Sequence, residues 1–203
     1  MHINLVFELS LILRQLLNFL IVSSCCSYFI VSKTANSFYV NLEMLPYMKK
    51  LDILYLHKFH RPGVRYEIGL GIMSGDICWV NGPFLCGKER DYDIFSSLKG
   101  LMTKLDVGKR VEADDGYRKG DPFFVKTRSG MTHDPRLRKI RNRVRARHET
   151  VNGRMAMWGC MSKTWHHSWT KHPIAFFAVA VVTQLEIENG EPLFEVTNYR
   201  DIV

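Results

Sequence analysis

The sequence predicts a mixed α/β fold, and three observations carry that reading. Two runs rich in β-branched and aromatic residues lie on either side of a Ser74-Gly75 turn signal. A long helical periodicity follows, opened by an Asp-Pro step. A second, almost wholly apolar helical run lies near the end of the chain. With 203 residues there is room for one domain, or one domain and an extension. Hydrophobic residues at 46% and charged residues at 24% exclude collagen, wholesale disorder and disulfide miniproteins.

The elements are justified in chain order. Val64 to Met73 and Asp76 to Phe84 read as paired strands of a hairpin. Asp93 to Leu105 reads as a helix, because Ile94, Leu98, Leu101 and Leu105 recur at helical spacing. Arg110 to Asp114 is a short strand stopped by Gly116, and Phe123 to Lys126 is another. Asp134 is a fitting N-cap for a long helix with Pro135 in its first turn. Leu137, Ile140, Val144, Val151, Met155 and Trp158 form its apolar stripe, and Gly159 suits its stop. Pro173 opens the final helix, Ile174 to Glu188.

Residues 1–56 differ in texture. They hold four basic and three acidic side chains, so the +8 net charge of the chain belongs mostly to the C-terminal body. Gln15 to Ser32 carries no charge but includes Gln15, Asn18 and several serines. It falls short of the ~20 mostly apolar residues of a spanning helix, and membrane association through it stands as an alternative. Five scattered cysteines with no C-x-x-C pair argue against a zinc site and a secreted disulfide framework. A reducing compartment is the simpler reading.

Arg136, Arg138, Lys139, Arg141, Arg143, Arg145, Arg147 and Arg154 share the long helix, opposed only by Glu149. Like charges at i,i+4 repel, and phosphates would neutralise that repulsion. Arg138, Arg141, Arg143, Arg145, Arg147 and Arg154 are therefore candidate DNA contacts; a merely solvated face is the competing reading. Asp114 at a strand end and Glu149 on the helix are candidate carboxylates for metal-assisted phosphoryl transfer, which needs acids converging from different elements. By spacing alone, a cap or surface role fits them better. His166, His167 and His172 lack a defined ligand spacing. Asp76 and Asp91 read as turn or cap residues.

Residues from about 57 to 201 resemble the DDE-superfamily transposases of the Harbinger-like, transposon-derived type. Four pieces carry the resemblance: KFHRPGVRYEIGLGIMSGDICWVNGPFLCG, RDYDIF, VEADDGY and ARHETVNGRMAMWG. It implies an RNase H-like mixed sheet flanked by helices, with acids on the first strand, the fourth strand and a late helix. Asp114 matches the second catalytic Asp and Glu149 the catalytic Glu, both as ligands of Mg²⁺ or Mn²⁺. The resemblance implies DNA as partner, a nuclear location, and compatibility with a homo-oligomer. The first catalytic Asp has no counterpart. Between Val31 and His57 the only acids are Glu43 and Asp52, in no matching motif. Residues 1–56 are therefore expected to be an unrelated helical extension that leaves the domain without its normal first strand and inactive. An active nuclease drawing its first acid from Glu43 and a non-catalytic DNA-binding protein using the 136–154 helix are the alternatives.

Overall fold

The computed structural model describes residues 61–106, 109, 111–113 and 134–196, together with short strands at 29–31, 38–39, 55–56 and 125–126. The fold is mixed α/β. Its frame is the hairpin of β4 (Arg61–Gly71) and β5 (Ile77–Leu85). On the far side of β4 lies β1 (Phe29–Val31), antiparallel to β4 and parallel to β6 (Val111–Glu112). β7 (Val125–Lys126) extends the sheet, parallel to β6. β2 (Phe38–Tyr39) and β3 (Tyr55–Leu56) pair with the first half of β4. Across the sheet the order is thus β5, β4, β1, β6, β7.

The N-terminal stretch, expected to be unrelated to the body, contributes a strand to its sheet. Phe29–Val31 stands between β4 and β6, so the sheet runs across the boundary drawn at residue 56. The sequence hid it for a physical reason. Interior strands read as unbroken apolar runs and lose the period-2 signal. Here the run is only three residues long, preceded by Ser23, Ser24 and Ser27. The rest of the Gln15–Ser32 segment lies outside the described residues, as do Glu43 and Asp52. Among the described residues no helix is long and apolar enough to cross a membrane.

Strand alternation divides the core into two clusters. Val64, Tyr66, Ile68, Leu70 and Ile72 point to one face, where α2 (Pro135–Ala156) and α4 (His172–Glu188) contribute Val144, Val151, Met155, Phe176 and Ala180. Tyr66 stacks on Phe176 with centroids 3.7 Å apart. The opposite face holds Phe95, Leu101, Val111 and Ala113 under Trp79. Deleting one of these large apolar side chains should cost about 2–5 kcal/mol.

The expected helix over 93–105 is broken. α1 spans Asp91–Ser96, and a 3₁₀ turn follows at Leu101–Lys104. Ser97 turns the chain by donating its N–H and Oγ–H to the Ile94 carbonyl. Gly100 then lies so close to the end of α1 that a Cβ there would stand 2.1 Å from the Ile94 carbonyl oxygen. Leu98, expected on the apolar stripe, is instead 92% exposed. α2 begins as expected, with the Asp134 carboxylate accepting from the Arg136 N–H. It ends at Ala156; Gly159 opens α3 (Gly159–Ser162) rather than stopping α2, and Trp158 leaves the apolar stripe.

Candidate nucleic-acid and metal site

At roughly 100° per residue, α2 presents three rows. Arg141, Val144, His148, Val151, Asn152 and Met155 form the buried row. Arg138, Asn142, Arg145 and Glu149, at steps of 4, 3 and 4, form one flank. Arg143, Arg147 and Arg154, at steps of 4 and 7, form the other.

The second flank is committed to the protein itself. Arg147 is 2% exposed. Its Nη1 donates to the Ile72 and Met73 carbonyls at 2.8 and 3.2 Å, and its Nε to Phe194 at 2.6 Å. Burial, and then the charge of Arg143, weaken its hold on its proton, while Glu195 and Asp76 oppose them. Arg143 donates to the Glu195 carbonyl at 2.8 Å and lies 4.8 Å above the Phe194 ring. Arg154 donates to the Glu191 carbonyl at 2.6 Å. Together they strap residues 191–196 along the helix, with Leu193 and Val196 as buried anchors.

The six arginines taken from the sequence as DNA contacts therefore do not form one surface. Arg147 clamps the core. Arg141 is 8% exposed and pairs with the buried Glu112, Nε to Oε1 at 3.5 Å, tying α2 to the end of β6. Arg143 and Arg154 hold the strap. Arg138 is exposed and Arg145, which donates to Asn142 at 3.1 Å, is half-buried.

Glu149 is exposed. Its direction follows from helical geometry. Arg147 leans toward the Ile72–Met73 end of β4, and a residue two positions on points ~200° away. β1 and β6 run antiparallel to β4, so their C-terminal ends lie at the end of the sheet away from Ile72–Met73. Asp114 follows Ala113 beyond β6 but lies outside the described residues, so its separation from Glu149 is not part of the described geometry. Among the described residues no three His, Cys, Asp or Glu side chains converge as metal ligands.

Sequence reasoning passed over two buried acids. Glu112 was readable in principle, since in VEAD it alternates with the apolar Val111 and Ala113. Glu67 lies on the other face. Its Oε2 accepts from Trp79 Nε1 at 2.7 Å, Leu101 N at 3.3 Å and Asn81 Nδ2 at 3.4 Å, while Oε1 is buried without a hydrogen bond. Burial raises its carboxyl to about 6, against the lowering effect of those donors. His172, at the start of α4, is also buried, with Nδ1 2.9 Å from Tyr66 Oη. Burial lowers it to about 4, so it is neutral at physiological pH. Asp76 accepts from Gln184 at 3.1 Å and Asp91 pairs with Arg65 at 3.1 Å, both structural roles.

No family model, no curated protein and no solved structure matches this chain.

Proposed function

We propose that this chain is a transposon-derived nuclease domain of the DDE type, with an RNase H-like sheet and DNA as its substrate, lacking one catalytic acid. The observation that carries the reading is the flank of Glu149. Glu149 is exposed and lies about 200° round α2 from Arg147, which is held at the Ile72–Met73 end of β4; in this reading it serves the carboxyl ends of the parallel strands β1 and β6, where open α/β sheets bind ligands. The strand order supports the same reading. β1 takes the part of the first strand, β4 and β5 the paired second and third, β6 the fourth, and α2 the late helix.

In this reading Asp114 and Glu149 hold a divalent cation, and Arg138 and Arg145 on the same flank neutralise phosphates of the strand to be cut. Carboxylate oxygens of this kind suit Mg²⁺ or Mn²⁺, which keep several waters and need only one or two protein carboxylates. When bound, such an ion supplies Lewis-acid polarisation of a phosphate oxygen. Phe29–Val31 carries no acid, so positioning for in-line attack is incomplete and cleavage is weak or absent. A nuclear location fits a DNA substrate.

The test is Mn²⁺ titration and plasmid nicking by the full chain. Expected are ~millimolar Mn²⁺ binding, lost in Asp114→Asn and in Glu149→Gln, and little nicking. Robust nicking abolished by either substitution would refute the inactivity and keep the site. Metal binding or nicking indifferent to both would refute the site. The acid-free central strand also favours a second reading, a non-catalytic DNA-binding protein. It predicts salt-dependent DNA binding with no specific Mn²⁺ site.

A further inference from the structure

The sequence holds three Asn-Gly steps, at 81–82, 152–153 and 189–190. Glycine has no side chain to shield its backbone nitrogen. At each step that nitrogen can reach the Asn carboxamide, provided the backbone is free to turn. The structure gives the three steps different surroundings.

Two of them are locked. Asn81 lies in β5, and its Nδ2 donates to the Lys99 carbonyl at 2.6 Å and to Glu67 at 3.4 Å. The Gly82 N–H donates to Asn81 Oδ1 at 3.0 Å. A Cβ added at Gly82 would stand 2.7 Å from the Tyr66 ring and 2.9 Å from the Arg65 carbonyl oxygen, so the backbone there has no room to turn. Asn152 is 5% exposed inside α2, where the Gly153 N–H is engaged in the helical ladder.

The third step is open. Asn189 follows α4, and both it and Gly190 are exposed. A Cβ added at Gly190 would meet nothing within 4 Å. The Gly190 N–H makes no hydrogen bond among the described residues. Among those residues Asn189 is held by one acceptor. Its N–H and its Nδ2 both donate to the Leu185 carbonyl, at 3.0 and 2.8 Å. A helix end with so few buried contacts opens far more readily than a central strand or a buried helical turn.

We infer that Asn189 is a site of spontaneous deamidation, selected by the fold, and that the modification acts on the 191–196 strap. The Gly190 nitrogen gives up its proton and bonds to Asn189 Cγ. The Cγ–Nδ2 bond breaks, and Nδ2 leaves with that proton as ammonia. Water then opens the cyclic imide at either carbonyl, to Asp or to isoaspartate. In the isoaspartyl form the chain runs through Cβ and gains one backbone carbon. Its free α-carboxylate stands at the negative end of α4, next in sequence to the exposed Glu188. Glu191 begins the strap just beyond. Its N–H donates to the Glu186 carbonyl at 3.0 Å, and its own carbonyl accepts from Arg154 at 2.6 Å. Both contacts that fix the start of the strap therefore lie beside the altered link. The inference is independent of the cleavage reading.

Peptide mapping by mass spectrometry of the full chain, aged at mildly alkaline pH, tests it. In the folded chain Asn189 should convert about tenfold or more faster than Asn81 and Asn152, giving Asp and isoaspartate. In the urea-unfolded chain the three rates should draw together. Hydrogen exchange at 191–196 should quicken in the aged chain. It should stay unchanged in aged Asn189→Gln, whose longer side chain closes a larger, less favourable ring. Equal or faster conversion at Asn81 or Asn152 in the folded chain, or no conversion at Asn189, would overturn the site. Unaltered exchange at 191–196 in the fully converted chain would overturn the action on the strap.

Discussion

The two flanks of α2 are built from the same residue and put it to different uses. On one, Arg143, Arg147 and Arg154 donate to backbone carbonyls of the chain's own turn and tail. On the other, Arg138 is exposed and Arg145 donates to Asn142, beside the exposed Glu149. A run of arginines on a helix is thus not one electrostatic feature. Arginine forms several directed hydrogen bonds with its planar fork, so it serves as a strap-holder where carbonyls converge and, in the proposed reading, as a phosphate contact where water does.

The largest effect expected from breaking this division is at Arg147. Arg147→Met leaves the Ile72, Met73 and Phe194 carbonyls without their donor, and should cost about 4 kcal/mol in urea unfolding. A loss below about 1 kcal/mol would mean that the strap does not depend on it. Arg141→Met comes next. It strands the buried Glu112 and should cost about 3 kcal/mol, most of it regained in the Arg141→Met, Glu112→Gln double variant. Simple additivity of the two substitutions would deny the pairing.

Glu67 gives a smaller effect that depends on pH. Its folded value, about 6, lies above the ordinary carboxyl value of 4.5. The folded state therefore binds the proton more tightly, and unfolding free energy falls as pH rises. The loss begins near the unfolded value and is complete above the folded one. It amounts to about 2 kcal/mol at ~1.4 kcal/mol per unit. Glu67→Gln should remove this component, flattening stability between pH 4.5 and 7 relative to the unaltered chain. An unchanged pH profile would show that Glu67 is not the titrating group. The smallest expected change is in Arg138→Ala with Arg145→Ala. Stability should stay within about 0.5 kcal/mol, and the effect should be on DNA binding.

Much of the fold was legible where a period was unbroken. The β4–β5 hairpin, α2 with its Asp134 cap, and the apolar α4 all follow from spacing and turn chemistry. β1 was not, because three apolar residues are too few to show whether they form a strand or a helix. The break of α1 turned on the close approach of Gly100 to Ile94, a contact that spacing does not encode. The candidate site was legible only as a list of residues. Periodicity places Arg141, Arg143, Arg145 and Arg147 on one helix. Which of them reach water is decided by a tail some fifty residues later and by Glu112 on another element. Glu149 was found by the resemblance, and its side of α2 follows from helical geometry.

The division of α2 is most directly tested by the salt dependence of DNA binding in two double variants. Each phosphate contact contributes roughly one unit to the log–log slope. Arg138→Ala with Arg145→Ala should lower the slope by about two. Arg143→Ala with Arg154→Ala should leave it unchanged while lowering the urea midpoint. A slope that falls equally in both, or only in the second, would contradict the account and return the whole run to a single phosphate-binding face.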